Sequence, residues 1–479
     1  VTGIWFMAAK IGTDERRVSR RGVIAGMGGA ALTPWSALAR GQPAPFAVSP
    51  ELQRRMYETA LGIARRKVRG GEPGSVYPER FVDAAFSSHI FLWDTCFIAA
   101  YAKYHQDELP IAAALDNFYE RQDADGFICR EYDEAGRPFW PKDHPVSINP
   151  PLMAFAELEL FSQRPHRVRL ARVYPKLAAN FEFIKRTWRG DDGLYIGDAL
   201  GSGMDNIERY PFGWTDDGKG IALHNLYPQV FDYKGLSAAW NRQGRSVDLS
   251  AQMALFADNL AGIAGRLGKP GEAVRWRTEH GRIAAAINGR CWDETDGWYY
   301  DLGYGKPIRR RHIGAFWTLI AGVAGPARVE RMVRRLTDPS QFWRETPVPA
   351  LPADMAGFQS DGGYWRGGVW APTNYMLIRG LARCGRRDLA RRLALAWYGR
   401  VAQVFEATGT FWENYAPDAV APGKPSRGDF CGWTAIAPIA IWREFVGGPA
   451  SSVHLDSGPT AVIETRPSPA MRSRAISFA

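Results

Sequence analysis

Three acidic residues of this 479-residue chain stand beside aromatic or glycine residues in loops between predicted helices. Asp94 follows Trp93, Glu413 follows Trp412, and Asp205 lies in a glycine-containing turn. Indole rings stack on the faces of sugars, while carboxyl groups hydrogen-bond hydroxyls or transfer protons. Cleavage of a glycosidic bond also needs two carboxyl groups, one protonated and one ionised. The pattern therefore favours a carbohydrate site.

Further polar and aromatic residues in these loops extend the candidate site. The chain contains 18 tryptophans, more than a core of this size needs. Taken singly, a tryptophan can simply cap the end of a helical barrel, Asp205 can serve a Gly-x-Asp-Asn turn, and Glu413 can be a surface residue. Taken together they favour a site. The candidates for substrate binding are Trp93, Asp94, Asn149, Asn206, Arg209, Trp365, Arg366, Trp370, Trp412 and Trp433.

The composition argues against several other classes of protein. The chain is 46% hydrophobic and 23% charged, which suits a large buried core. Its net charge of +10 is scattered along the chain, so nucleic acid is not an expected partner. The five cysteines are far apart, which argues against a zinc site and leaves one buried disulfide open. The sequence contains no metal-ligand cluster and no glycine-rich phosphate loop, so no cofactor is expected.

The first residues resemble an export signal. Arg20-Arg21 is followed by a weakly apolar run, Ala25–Leu38, that ends in an A-x-A pattern. This arrangement is typical of a twin-arginine signal peptide and predicts a signal and leader at 1–44, with a periplasmic or secreted mature protein. The alternative is an amphipathic first helix with a chance arginine pair. The run is too short to span a membrane, and no other stretch is longer, so no membrane span is expected.

From about Pro50 to Val446 the apolar residues recur with helical periodicity, and almost no segment alternates as a strand does. Many predicted helices come in pairs that are joined by a short turn. The pairs predict an all-α (α/α)6 toroid, in which six helical hairpins close a ring, as a single domain at 45–447. Residues 448–479 are predicted to be an irregular tail. The predicted helices are Pro50–Arg66, Phe97–Tyr104, Ile111–Tyr119, Leu152–Phe161, Val168–Trp188, Leu249–Leu267, Gly271–Ile287, Ile313–Ala324, Ala327–Leu336, Thr373–Arg383, Arg387–Phe405 and Thr434–Phe445.

Several short motifs carry a resemblance to a known family. Gly201–Tyr210, GSGMDNIERY, is similar to SGxDNSPR[WY], a signature of glycoside hydrolase family 63. The resemblance covers roughly Phe86–Val446 and is greatest to the bacterial single-domain members, similar to mannosylglycerate and glucosylglycerate hydrolases. The trehalase signature QWDxPNGWxP is replaced here by YWRGGVWAPTNY. The other matching segments, in the family's order, are Leu92–Phe97, Asn149–Pro151, Asp248–Gln252, Tyr364–Tyr375, Thr410–Tyr415 and Phe430–Thr434.

The resemblance implies an inverting α-glycosidase that acts on a small α-linked saccharide or glycoside. Carried onto this chain, it implies that Asp205 is the general acid and Glu413 the general base. An inverting enzyme holds its two carboxyl groups ~6.5–9.5 Å apart, because a water molecule must fit between the base and the sugar. We further expect Asp94 to hydrogen-bond hydroxyls of the sugar in subsite −1, and Trp365 and Trp370 to offer stacking faces.

Other expectations concern one arginine and the departures from the family pattern. Arg366 is expected to orient a carboxylate or to keep Glu413 ionised, and the alternative is a structural ion pair. Ile207-Glu208 replaces the usual Ser-Pro, Gly367-Gly368 replaces Gly-Pro, and Asn149 replaces Gln. These departures bear on the substrate more than on the fold. Some family members bind a structural calcium, whose ligands this sequence does not identify.

Two other classes of protein stay open at this point. Toroids of paired helices also include polysaccharide lyases and sugar epimerases, which use a His or Tyr base. A non-catalytic oligosaccharide-binding protein would retain the aromatic cleft and tolerate loss of both carboxyl groups. The sequence makes no prediction of the oligomeric state.

Overall fold

The computed structural model describes residues 47–82, 84, 89–197, 201–207, 209, 244–430 and 432–447. These residues belong to one compact unit. The predicted signal and leader at 1–44 and the predicted tail at 448–479 lie outside the described residues.

Helices dominate the described residues, and their bounds follow the predicted segments. They are α1 Pro50–Arg66, α2 Leu92–Ala102, α3 Ile111–Glu120, α4 Met153–Gln163, α5 Arg167–Trp188, α6 Val247–Arg266, α7 Pro270–Arg290, α8 Trp317–Ile320, α9 Pro326–Leu336, α10 Ala371–Arg383, α11 Arg387–Thr408 and a π-helix, Ala437–Val446. Short 3-10 turns, Ile313–Phe316 and Thr434–Ile436, precede α8 and the π-helix. Helix α2 begins at Leu92, five residues before the predicted start at Phe97. The prediction missed this start because the helix is buried on every side and therefore shows no periodic apolar face.

The strands within the described residues are nine pieces of two residues each. They pair as β1 with β2, β3 with β4, β6 with β7, and β8 with both β5 and β9. Pieces of this length cannot show an alternating pattern, so the sequence contains no sign of them. They are β1 Val68–Arg69, β2 Phe81–Val82, β3 Ile90–Phe91, β4 Glu131–Tyr132, β5 Gly244–Arg245, β6 Trp292–Asp293, β7 Trp298–Tyr299, β8 Leu302–Gly303 and β9 Lys306–Pro307.

The helices form an inner and an outer set. The inner helices α2, α4, α6, α8 and α10 contact one another in chain order, and the segment that includes the π-helix contacts both α10 and α2. The inner set therefore closes a ring. Helices α1, α3, α5, α7 and α11 pack on its outside. Each outer helix needs only one apolar face, as α1 shows by burying Leu52, Met56 and Ala60.

A buried charge cluster of two cations and two carboxylates joins four segments of this ring. Lys103, directly after α2, donates to Glu444 Oε1 of the π-helix at 2.7 Å and also pairs with Glu159 of α4. Arg379 of α10 donates to Glu159 Oε1 at 3.0 Å and lies 3.4 Å from Glu444 Oε2. Burial opposes ionisation of Glu159, but the charges of Arg379 and Lys103 outweigh it and lower the pKa of that carboxyl.

The described residues show no disulfide, no metal-binding cluster and no membrane-spanning helix. Cys96, Cys129, Cys291 and Cys384 carry free thiols, and Cys431 lies outside the described residues. This part of the chain places no group of three or more His, Cys, Asp or Glu side chains where they could hold a metal ion. None of its helices combines the length and the apolar character that crossing a membrane requires.

Lys103→Met is expected to destabilise the protein strongly. It would leave two buried carboxylates with one cation, and removing one partner from a buried ion pair costs about 3–5 kcal/mol. The measurement is the free energy of unfolding in urea. The matched control is Arg54→Met, which breaks the exposed pair with Glu58 and should cost less than about 1 kcal/mol. Equal effects of the two substitutions would contradict a structural role for the cluster.

Candidate active site

The candidate site lies where inner helices begin. Trp93 and Asp94 occupy the first turn of α2, Trp370 immediately precedes α10, and Trp433 immediately precedes the 3-10 turn before the π-helix. Since the buried charge cluster lies toward the other ends of α2, α10 and the π-helix, the two sets of polar residues occupy opposite ends of the ring. The amino end of a helix carries a partial positive charge, which suits a site rich in carboxyl groups.

Glu413 is fixed by hydrogen bonds on its backbone and on its side chain. Its N–H donates to the carbonyl of Arg427 at 2.9 Å, and its own carbonyl accepts the indole N–H of Trp433 at 3.0 Å. The Tyr364 hydroxyl donates to Glu413 Oε1 at 3.0 Å. Burial raises the pKa of Glu413 to about 7, against the opposing effects of the Tyr364 hydrogen bond and the Arg427 charge.

The structure brings Asp94 and Asp205 to the same place as Glu413. Burial raises the pKa of Asp94 well above its usual range, and the negative charges of Glu413 and Asp205 raise it further. Asp205 also acts electrostatically on the Tyr364 hydroxyl that holds Glu413. Three carboxyl groups from distant parts of the sequence therefore interact at one end of the ring.

Asp205 is carried by a turn that packs directly on Trp93. Gly203 adopts a φ of +79°, which favours glycine, and a β-carbon there would lie only 3.1 Å from the Trp93 ring, a tight contact. Before the turn, the Asn149 amide donates to the carbonyl of Gly201 at 3.1 Å. The predicted contact of Asn149 with a substrate stays a prediction, and its observed role is to hold this turn.

Arg209 forms a buried ion-pair cluster, and its predicted contact with substrate stays a prediction. Its side chain is only 1% exposed. The guanidinium donates two hydrogen bonds of 2.8 Å to Asp248 in the first turn of α6, and bonds of 2.8 and 2.9 Å to Asp301. His312 Nε2 lies 3.0 Å from Asp301 and completes the cluster. These buried ion pairs anchor the segment after Asp205 to an inner helix.

Asn206 also connects parts of the protein. Its side-chain oxygen accepts the backbone N–H of Trp365 at 2.8 Å, and its amide nitrogen donates to the carbonyl of Gly363 at 3.0 Å. Both functional groups of the amide are thus engaged with the turn that carries Tyr364. The observed role of Asn206 is to hold this turn. Its predicted contact with substrate stays a prediction.

The predicted tryptophans pack mostly against one another. Trp365 and Trp370 stack in parallel with ring centres 4.0 Å apart, and both are buried. Their predicted stacking on a sugar stays a prediction. Trp93 and Trp433 meet edge to face at 6.0 Å. Trp412 is half-buried and donates its indole N–H to Thr408 Oγ1 at 3.1 Å. Trp412 is therefore the predicted tryptophan that keeps the most surface for a ligand.

An arginine that the sequence did not single out, Arg427, acts on Glu413. The charge of Arg427 lowers the pKa of Glu413, opposing the effect of burial. Arg366 is half-buried, and its carbonyl accepts the N–H of Gln359 at 3.0 Å. Its guanidinium packs near Gly357. Both expectations for Arg366, an action on a carboxylate and a structural ion pair, stay predictions.

Comparison with known proteins identifies the family. Residues 87–434 match the Mannosylglycerate hydrolase MGH1-like glycoside hydrolase domain. The chain belongs to this glycoside hydrolase family. It is 26% identical over 416 residues to the mannosylglycerate hydrolase of Rubrobacter radiotolerans, covering 74% of this chain and 91% of that protein. It is also 24% identical over 332 residues to a protein of Borreliella burgdorferi, covering 68% of this chain and 64% of that protein.

The fold of this chain is similar to that of a solved structure from the family. The likeness to the family 63 mannosylglycerate hydrolase of Thermus thermophilus has a TM-score of 0.61 at 21% identity. It covers 81% of this chain and 99% of that one. The predicted (α/α)6 toroid, the predicted resemblance to family 63 and the predicted glycoside hydrolase class are confirmed.

Two residues of this family member that act on Glu413 had no role in the sequence-based prediction. Tyr364 stands in the recognised YWRGGVW motif, directly before two predicted site residues, so the motif could have revealed it. Arg427 lies in the loop after Glu413 and belongs to none of the matching segments, so no motif pointed to it.

Glu413→Gln is expected to raise the free energy of unfolding at pH 8 and to leave it nearly unchanged at pH 4. The folded carboxyl keeps its proton up to about pH 7, whereas in the unfolded chain it ionises near pH 4.5, so the folded state loses stability between these values. The gain at pH 8 should be about 1–3 kcal/mol. Urea unfolding at both pH values measures it.

Glu406→Gln, at an exposed position of α11, is the matched control. It should have the same small effect on stability at both pH values. A Glu413→Gln variant whose stability difference from the wild type did not change between pH 4 and pH 8 would contradict the raised pKa.

Proposed function

We propose that this family member is an inverting α-glycosidase with Asp205 as general acid and Glu413 as general base. The observation that carries the proposal is the convergence of these carboxyl groups at the helix-start end of the ring, where each acts electrostatically on Asp94. Asp205 and Glu413 also occupy the motif positions that hold the acid and the base in the resembling family. In the reaction, Asp205 would protonate the leaving oxygen while Glu413 removes a proton from the attacking water.

The surroundings of Glu413 support the role of a base. A base works best when its pKa lies close to the working pH, and burial raises the pKa of Glu413 to about 7. The Tyr364 hydrogen bond and the Arg427 charge oppose a larger shift, so that the carboxylate is available in neutral solution. Both features favour a glutamate that takes up a proton during the reaction and releases it afterwards.

Asp94 is proposed to hold the sugar in subsite −1. It is 8% exposed in the first turn of α2, next in sequence to Trp93, whose ring contacts those of Trp365 and Trp433. A carboxyl group in this position can accept hydrogen bonds from sugar hydroxyls and is too buried to meet solvent freely. The half-buried Trp412, next to Glu413, is proposed to contact the other side of the ligand.

The substrate is proposed to be a small α-linked glucoside or mannoside. Relatives of this chain include mannosylglycerate hydrolases, a probable mannosyl-oligosaccharide glucosidase of Schizosaccharomyces pombe and trehalases. These proteins act on different leaving groups, and the departures at Ile207-Glu208 and Gly367-Gly368 fall in two motifs of the site. Glucose and mannose are therefore the sugars to test first.

Asp205→Asn and Glu413→Gln are each expected to reduce kcat by about a thousandfold or more, because each removes one proton-transfer step. Binding of the sugar should survive in both variants, since the amides preserve size and hydrogen bonding. Hydrolysis of a panel of α-linked glucosides and mannosides, followed by calorimetric titration of the best substrate into the inactive variants, makes the measurement. The control is Glu406→Gln, which should keep full activity. Full activity of either carboxyl variant would overturn its assignment.

Export by the twin-arginine route to the periplasm or the medium is proposed from the residues around Arg20-Arg21. Replacing both arginines with lysine is expected to abolish export, because the machinery that reads this signal requires the arginine pair. Fractionation of a bacterial host that expresses the full chain measures the location. Export that persisted unchanged in the Lys-Lys variant would contradict the proposed route.

A further inference from the structure

We propose that Tyr364 is a positioning residue for Glu413 and that Asn206 ties it to the turn carrying Asp205. The inference rests on the proposed role of Glu413 as the base. It adds a physical link between the acid and the base, which lie 208 positions apart in the sequence.

The Tyr364 hydroxyl selects one oxygen of Glu413. It donates to Oε1 at 3.0 Å. Within the described part of the chain, Oε2 accepts no hydrogen bond. Because Oε1 is engaged by tyrosine, Oε2 is the oxygen that can receive the proton of the attacking water. The hydrogen bond thereby fixes both the orientation of the carboxylate and the identity of the reacting atom.

The backbone of Tyr364 is held in an unusual conformation by its surroundings. Its φ is +61°, in the left-handed region that large side chains rarely adopt. The carbonyl of Tyr364 accepts the indole N–H of Trp370 at 3.2 Å and the backbone N–H of Gly368 at 3.0 Å. Its ring meets that of Trp370 edge to face at 4.8 Å. The direction of the hydroxyl is thus set by the fold and not by free rotation of the segment.

The Asn206 amide, next in sequence to Asp205, forms hydrogen bonds with the same turn. It accepts from the N–H of Trp365 and donates to the carbonyl of Gly363, the two residues that flank Tyr364. A movement of the turn would therefore displace Asn206, which is next to Asp205, together with the Tyr364 hydroxyl that donates to Glu413. This link can maintain the separation of the two carboxyl groups, on which an inverting reaction depends.

Other charged groups also face this pair. Arg427 lowers the pKa of both Glu413 and Tyr364, while Asp94 and Asp205 lie close enough to interact with the pair. The Tyr364 hydrogen bond is distinct among these influences, because it alone depends on one hydroxyl group that can be removed without changing a charge.

The test is Tyr364→Phe. In the wild type, kcat/KM should fall as the pH drops below about 7, since Glu413 must be ionised to act. Loss of a hydrogen bond that favours the carboxylate should move this acid limb about one pH unit higher and reduce kcat about 10- to 100-fold, with little change in KM. Tyr398→Phe is the matched control, because the Tyr398 hydroxyl is buried in α11 without a hydrogen-bond partner in the described structure. The control should leave the profile unchanged.

A stability measurement gives a readout that does not depend on activity. Tyr364→Phe should destabilise the protein more at pH 8, where Glu413 is ionised, than at pH 5, where it is protonated. In the Glu413→Gln background this difference between the two pH values should vanish. A difference that persisted without the carboxyl group would show a merely structural role for Tyr364 and overturn the proposal.

Asn206→Ala tests the second half of the link. It should reduce kcat with little effect on KM, and the additional loss caused by Tyr364→Phe should be smaller than in the wild type, because both changes release the same contact. Fully additive losses would refute the link. Activity that survived Glu413→Gln would refute the base assignment itself. An inactive Glu413→Gln variant together with an unshifted acid limb in Tyr364→Phe would refute only the positioning role.

Discussion

Closure of the inner helices into a ring is the constraint on which the site depends, and a buried charge cluster links four segments of that ring. Lys103 and Arg379 neutralise Glu159 and Glu444, each on a different inner segment. Such a cluster is satisfied only when all four segments meet, because an unpaired buried charge is costly. The ring brings the starts of the same helices together at its other end, where Asp94 and the segment with Glu413 meet the turn of Asp205.

At that end the fold maintains polar groups in a dry environment. Asp94 and Glu413 are both less than 10% exposed, and burial raises the pKa of each. The cost is offset by structure around them, since Tyr364 and Trp433 hydrogen-bond Glu413 and the ion pairs of Arg209 anchor the segment after Asp205. For Glu413 this shift is useful in catalysis, because both forms of its carboxyl group are accessible near neutral pH.

The sequence predicted the helices well and the side-chain roles less well. Helical periodicity located most outer helices to within a few residues, but it missed the start of α2, where burial on all sides removes the pattern. Motif order predicts Asp205 and Glu413 as the acid and the base, yet a motif does not specify which way a side chain points. Arg209 and Trp370, for example, are predicted to contact the ligand, and the structure shows that their side chains are buried within the protein. Arg427 belongs to no motif, and its contact with Glu413 depends on the fold of the loop between them.

The configuration of the first sugar released tests the account most directly. One-dimensional proton NMR, recorded during the first minutes of hydrolysis of an α-linked glucoside or mannoside, distinguishes the two anomers before they interconvert. With Glu413 activating a water molecule on the face opposite the leaving group, the β-anomer should appear first. Initial release of the α-anomer would show retention, and would contradict the assignment of Asp205 and Glu413 as the acid and base of an inverting reaction.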